Sequence, residues 1–91
     1  MSKGNVGRTG IAPLTRRYAI ELLPDDEGDG FTVLCPSLPG LVTQGDTIEE
    51  CREHAEEAIL GYLEALRDLR WPIPPSDDAD PGKTLISVRL R

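Results

Sequence analysis

The sequence predicts a small α+β domain, in which an antiparallel sheet carries one helix across a face and the elements follow the order β-β-β-α-β. Three observations predict this fold. Short stretches with alternating apolar residues lie on both sides of one longer stretch whose apolar residues recur every three or four positions. Clusters of Gly, Pro and Asp separate these stretches. The length of 91 residues suits a single domain with a modest core.

The first two strands are predicted to form a β-hairpin. Residues 17–23 read as a strand with one face formed by Tyr18, Ile20 and Leu22. Residues 24–30 (Pro-Asp-Asp-Glu-Gly-Asp-Gly) predict a turn, because acids and glycines tolerate a tight backbone and do not form a core. Residues 31–35 then predict the second strand, with one face formed by Phe31, Val33 and Cys35.

A rigid loop, a short strand and the helix are predicted next. Residues 36–40 (Pro-Ser-Leu-Pro-Gly) predict the loop and residues 41–44 the third strand. The helix starts at a capping box, in which the Thr47 hydroxyl accepts from the Glu50 amide and the Glu50 carboxylate reaches back to the Thr47 amide. Its apolar stripe consists of Ile48, Cys51, Ala55, Ala58, Ile59, Tyr62, Leu63, Leu66 and Leu69. Trp71 and Pro72 end it.

The last strand is predicted over residues 84–90, after an acidic loop at residues 76–83. Its inward face is formed by Ile86, Val88 and Leu90. The second faces of the strands also carry apolar residues, namely Ala19, Leu23, Leu34 and Leu85. Because one helix covers only one face of a sheet, these residues either pair with a second copy or a partner, or are ordinary isolated surface residues.

Charge is distributed unevenly along the chain, whose net charge is −6. Residues 1–17 carry four bases and no acid, whereas residues 18–83 carry all 16 acids. We expect residues 1–16 to form a flexible basic tail and residues 17–91 to form the domain. The acidic body repels nucleic acid and attracts basic proteins. The absence of an apolar run of about 18 residues or of a signal-peptide pattern, with two unpaired cysteines, predicts a cytoplasmic location.

The acidic turn is the first candidate for a metal site. Asp25, Glu27, Asp29 and Gly30 resemble the start of an EF-hand loop. The twelfth position of that loop is Pro36, where calcium requires a bidentate glutamate, and strands flank the turn instead of helices. A solvated turn is therefore predicted, with no metal and no cofactor.

Candidate catalytic residues lack the partners that catalysis needs. The single histidine, His54, lies on the polar side of the helix near Glu50 and Glu57. Cys35 and Cys51 occupy inward positions without a C-x-x-C motif, so we expect buried apolar residues instead of nucleophiles. We predict a non-enzymatic protein. A metal-dependent nuclease built from carboxylates remains a less favoured alternative.

Residues 35–50 (CPSLPGLVTQGDTIEE), between the acidic hairpin and the amphipathic helix, resemble the HicB-like antitoxin family. The family pattern is carried by Pro36, Leu38, Pro39, Gly40, Gln44, Gly45, Asp46, Thr47, Glu49 and Glu50. The resemblance covers residues 17–75 and extends through the last strand. It implies a sheet and helix like a partial ribonuclease H-like fold, binding of a small basic mRNA-cleaving toxin of the HicA type, and a homodimer or higher oligomer.

The main hypothesis is an antitoxin-like domain that neutralises such a toxin. Asp25, Asp26, Glu27 and Asp29 would steer the basic partner onto the chain. Family members often add a C-terminal DNA-binding module. Since this sequence ends at Arg91, just after the last strand, direct DNA binding is not expected. An orphan oligomeric binding domain without a toxin is the alternative.

Overall fold

The computed structural model describes residues 14–91. One four-stranded antiparallel sheet has the strand order β3-β2-β1-β4. The elements are β1 (Leu14–Pro24), β2 (Phe31–Leu34), β3 (Val42–Gly45), α1 (Ile48–Asp68) and β4 (Thr84–Leu90). The predicted α+β order β-β-β-α-β is confirmed, whereas the likeness to a ribonuclease H-like fold stays an expectation.

Strand β1 is longer than the sequence predicted. It begins at Leu14 instead of Arg17, because Leu14 pairs with Leu90 at the far end of β4. Leu14, Thr15 and Arg16, which were assigned to the tail, therefore belong to the sheet. The remainder of the predicted tail, residues 1–13, lies outside the described residues.

β1 joins two ladders that share no residue. Its residues 14–20 pair with β4, and its residues 21–24 pair with β2. β3 extends the second ladder by pairing with β2. The sheet is consequently staggered, and among residues 14–91 no strand pairs with the first half of β1 on its β2 side.

The core lies between the sheet and α1, as the alternation of the strands predicted. Cys35, just after β2, is buried, and so are most inward residues of the strands: Tyr18, Ile20, Val33, Ile86, Val88 and Leu90. Leu22 and Phe31, also predicted to face inward, are partly buried. The helix contributes Cys51, Ala55, Ile59 and Leu63 to the same core. The two ends of the predicted stripe, Ile48 at the first helical position and Leu69 at the C-cap, are instead 54% and 57% exposed.

The Leu-Pro-Gly sequence forms a tight turn that places a large side chain in the core. The Leu41 amide donates to the Leu38 carbonyl at 3.1 Å, and Gly40 has φ +86°. Proline and glycine at the two central positions are typical of a type II turn. Leu38 is fully buried, and the Tyr62 hydroxyl of α1 donates to the Pro39 carbonyl at 2.8 Å. The motif thus fixes the loop to the helix.

The start of α1 follows the predicted capping box with one difference. The Glu50 amide donates to the Thr47 hydroxyl oxygen at 3.1 Å, as expected. The Glu50 carboxylate accepts from the Asp46 amide at 2.8 Å and not from the Thr47 amide. The capping box therefore closes one residue further back in the chain and fixes the turn between β3 and α1.

The end of α1 is a Schellman motif with an unusual residue. The Trp71 amide donates to the Leu66 carbonyl and the Arg70 amide to the Arg67 carbonyl, both at 2.9 Å. Arg70 has φ +61°, a left-handed conformation that normally selects glycine at this position. The helix therefore ends at Asp68, shortly before Trp71 and Pro72, which the sequence predicts as its end.

Candidate functional site

The acidic turn between β1 and β2 presents its four carboxylates to solvent. Asp25, Asp26, Glu27 and Asp29 are all exposed. Backbone bonds hold the turn in shape: the Asp25 amide donates to the Gly30 carbonyl and the Gly28 amide to the Asp25 carbonyl, both at 3.0 Å. An Asp25 carboxylate oxygen also accepts from the Glu27 amide at 3.1 Å. Within residues 14–91, the carboxylates of Asp26, Glu27 and Asp29 form no hydrogen bond or ion pair.

Two glycines bring this turn against the start of α1. A Cβ atom at Gly30 would lie 2.9 Å from the Gly45 carbonyl oxygen, and Gly30 has φ +86°. A Cβ atom at Gly45 would lie 2.8 Å from the Cys51 amide nitrogen. Only glycine fits such close backbone approaches. Asp25 and Asp29 consequently line one groove together with Asp46, Glu50 and His54.

His54 has a structural contact that the sequence analysis did not anticipate. Its Nδ1 donates to the Gln44 carbonyl oxygen at 2.5 Å, because a carbonyl only accepts and Nδ1 must therefore carry the proton. This hydrogen bond raises the pKa of His54, and the charges of Glu50, Glu57 and Glu53 raise it further. His54 thereby ties α1 to β3.

The EF-hand pattern does not form a metal site in the part of the chain that the structure describes. Among residues 14–91, no three His, Cys, Asp or Glu side chains are grouped closely enough to hold a metal ion. The two cysteines are buried, as predicted, and burial raises the pKa of both the Cys35 and Cys51 thiols. A raised pKa keeps a thiol protonated and weakly nucleophilic.

A second acidic surface lies where α1 meets β4. Glu49, Glu53 and Glu56 of the helix line a groove with residues 85–87 of β4, and Arg52 is the one base in it. Within residues 14–91 Arg52 forms no ion pair, since the single salt bridge there joins Arg67 to Asp68. The sequence analysis did not identify this groove, because it depends on how the helix packs on a distant strand.

The sheet face opposite α1 is partly apolar, as the sequence indicated. The strand registers place Leu23, Leu34 and Leu85 on this face, with Val42 beside Leu34. Leu23 and Val42 are 46% and 61% exposed, whereas Ala19 is buried. Within residues 14–91 no second helix covers this face.

Residues 74–77, which we call the covering segment, run along the open side of β1. The Arg17 amide donates to the Ser76 hydroxyl oxygen at 3.0 Å, and the Asp77 amide donates to the Arg17 carbonyl at 2.9 Å. The hydroxyl of the buried Tyr18 donates to the Pro74 carbonyl at 2.6 Å. Ser76 and Asp77, the last part of this segment, lie in the predicted acidic loop, and the local sequence indicates no role for them.

Asp77 is the most highly connected residue of the covering segment. Its carboxylate accepts from the Ala19 amide at 2.8 Å and from the Ser37 hydroxyl at 2.5 Å. These two bonds hold the pKa of Asp77 below its ordinary value, with the Ser37 bond the larger cause. One side chain thus links β1, the loop after β2 and the segment before β4.

The fold and these surfaces define a small acidic α+β domain whose exposed carboxylates and apolar sheet face suit contact with other macromolecules. The chain belongs to the HicB_like antitoxin family of bacterial toxin–antitoxin systems, whose model matches residues 17–90.

Two relatives and one solved structure are similar to this chain. A UPF0150 protein, ssr1765, from Synechocystis is 39% identical over 62% of this chain and 71% of its own length. Antitoxin HicB 1 from Photorhabdus laumondii is 38% identical over 68% of this chain, but the match spans 42% of that protein. A chain of the solved HicA3 and HicB3 toxin-antitoxin complex superposes with a TM-score of 0.59 and 28% identity, covering 82% of this chain and 98% of that one.

The structure contains no helix, among the residues it describes, with the length and apolarity needed to cross a membrane.

Proposed function

We propose that this chain is the antitoxin of a toxin–antitoxin pair and neutralises a small, basic, mRNA-cleaving toxin of the HicA type by binding it. The observation that carries this proposal is the superposition on 98% of a chain from a HicA3 and HicB3 complex. The family model supports the same role over residues 17–90. The chain acts by contact, without catalysis of its own.

The acidic turn is the proposed first contact with the toxin. Asp25, Asp26, Glu27 and Asp29 project from one end of the sheet into solvent. A surface that binds RNA is basic, so it is attracted to such a cluster at long range, and this attraction speeds association more than it tightens the final complex. Occupying the basic surface of the toxin with carboxylates also excludes the phosphates of its RNA substrate.

The apolar sheet face supports a second proposal, that the chain forms a homodimer. Leu23 and Val42, two large apolar side chains of this face, are 46% and 61% exposed. Packing two such faces would form a sandwich with the helices outside. Sedimentation of the purified chain, with a Val42→Asp variant expected to shift it to monomer, tests this proposal.

Growth rescue by co-expression tests the antitoxin role. The protein encoded beside this chain is expressed alone and together with it, and complex formation is measured after co-purification. We expect the neighbour to arrest growth and this chain to restore it. A toxic neighbour that neither binds nor is rescued would refute the proposal, and a neighbour without toxicity would favour the orphan domain.

Matched charge reversals test the acidic turn separately. The triple variant Asp26→Lys, Glu27→Lys, Asp29→Lys leaves the Asp25 carboxylate, which bonds the turn backbone, in place. The control reverses three exposed acids elsewhere and so has the same net charge: Glu57→Lys, Glu64→Lys and Asp78→Lys. We expect the turn variant to associate with the toxin about tenfold more slowly or worse, and the control to change the rate much less. Equal effects of the two variants would mean that net charge, and not the turn, attracts the toxin.

A further inference from the structure

Within residues 14–91, one open strand edge of the sheet is covered and another, the outer edge of β4, is bare. On the open side of β1, the covering segment bonds the main chain of Arg17 and the amide of Ala19. Unpaired strand edges attract other strands, and proteins usually cover or blunt them. β4 pairs with the other side of β1 and is one of the two edge strands of the sheet. It has seven residues, whereas β3, the other edge strand, has four.

The register shows which groups of β4 point outward. Opposite residues of an antiparallel ladder either bond each other or both turn away. Arg17 and Ala19 turn their amides toward the covering segment, so their partners Ser87 and Leu85 turn away from β1. Arg89 follows by alternation. Within residues 14–91, the main-chain groups of these three residues have no hydrogen-bond partner.

The groove beside this bare edge is acidic. Its charged lining residues are three acids, Glu49, Glu53 and Glu56, and one base, Arg52. The groove next to residues 85–87 therefore has a net charge of −2. Two copies of β4 pairing about a two-fold axis would bring two such grooves together, and the like charges would repel. A strand with basic side chains would instead be attracted to the groove, because every second side chain would point toward the glutamates.

We propose that the outer edge of β4 accepts an extended basic segment of a partner protein as a fifth strand, with alternate Lys or Arg side chains facing Glu49, Glu53 and Glu56. The identification of that partner with the toxin rests on the function proposed above. Leu85, Ser87 and Arg89 would exchange about six main-chain hydrogen bonds with the added strand. Main-chain bonds of this kind supply affinity, while the alternate side chains supply specificity.

Amide hydrogen exchange on the full-length chain tests the proposal at single residues. Spectra are recorded for the chain alone, with the co-purified neighbour protein, and with a capped eight-residue peptide alternating Lys and Thr. We expect the amides of Leu85, Ser87 and Arg89 to exchange quickly in the free chain and at least about tenfold more slowly in either complex. The amides of Ile86 and Val88 face β1, so we expect them to exchange more slowly than the three outward amides in the free chain.

Two substitutions at one position separate the main chain from the side chain. Ser87→Pro removes an outward amide without touching a bond to β1, as is tolerated on edge strands. Ser87→Ala, the control, keeps that amide. We expect Ser87→Pro to weaken binding about tenfold or more and Ser87→Ala to bind as the unchanged chain does. If Ser87→Pro does not fold, as judged by circular dichroism, Glu53→Lys with Glu56→Lys provides the test, with a similar loss of affinity expected.

Tight binding of the neighbour with unprotected outward amides and no effect of Ser87→Pro would overturn the edge proposal and leave the antitoxin role intact. A neighbour that does not bind would remove the antitoxin role, and protection by the peptide would then still support a basic strand at β4. Protection that grows with the concentration of the chain alone would show that a second copy occupies the edge, which would overturn the proposal.

Discussion

Replacing Asp77 with asparagine tests whether one carboxylate fastens the covering segment to the sheet. Asparagine keeps an oxygen for the Ala19 amide and an NH2 group for the Ser37 hydroxyl, at the present separations of 2.8 and 2.5 Å. The change therefore removes charge and leaves the shape nearly constant. Hydrogen bonds to a charged group contribute about 1.5–3 kcal/mol each, and neutral ones about 1 kcal/mol.

The expected loss of unfolding free energy for Asp77→Asn is about 1–2 kcal/mol, since Asp77 is partly open to water that competes for both bonds. For a domain of this size the loss corresponds to a fall of roughly 5–15 °C in the midpoint of thermal unfolding. Urea titration followed by circular dichroism measures it. Asp78→Asn, at the exposed neighbouring position, is the control and should change the unfolding free energy by less than about 0.5 kcal/mol.

The stabilisation that the Asp77 carboxylate provides depends on pH. The pKa of Asp77 is lowered by its bonds to Ser37 and Ala19, so the stabilisation is complete above the ordinary carboxyl value and is lost as the pH falls through the lower folded value. The gap between wild type and Asp77→Asn should thus be constant from about pH 5 to 7 and narrow below about pH 4. An undiminished gap at pH 3, or no gap at pH 7, would refute the reasoning.

Three further substitutions probe the helix and its contacts. Gly45→Ala places a Cβ atom 2.8 Å from the Cys51 amide nitrogen, so it should lower the unfolding free energy by about 1–3 kcal/mol in urea titration. Arg70→Gly relieves a left-handed residue with φ +61° and should raise the thermal midpoint, with a net gain of about 0.5–1 kcal/mol after the added freedom of the unfolded chain. The pKa of His54 is raised by its bond to Gln44, so the stability advantage of wild type over His54→Gln should be full below about pH 6 and decline as the pH rises through the folded value. Chemical denaturation between pH 5 and 9 checks this, and an advantage that grows with pH would contradict it.

Local sequence signals predicted most of the fold. The apolar alternation predicted the buried faces of the strands. The capping residues Thr47 and Glu50 predicted the start of the helix, and the structure has Thr47 as its N-cap. The exposure of the acidic turn also followed from composition, because Asp25 and its neighbours have no means of forming a core.

The features that the sequence did not reveal depend on contacts between distant residues. β1 begins at Leu14 because Leu90 pairs with it, and no local pattern around Leu14 signals this. Asp77 bonds Ala19 and Ser37, which are 58 and 40 residues away, so its position among other acids gave no indication of its role. The acidic groove at β4 likewise requires knowledge of how α1 lies on the sheet.

The two separate ladders of β1 also determine the order in which the sheet can assemble. β1, β2 and β3 pair across short connections, whereas β4 closes on β1 across nearly the whole chain, from Leu90 back to Leu14. The entropy lost in closing a loop grows with its length, so β4 is expected to dock last in folding and to detach first in local opening. A strand added at the outer edge of β4 would therefore bind the strand that opens most readily and would slow the detachment of β4 from β1.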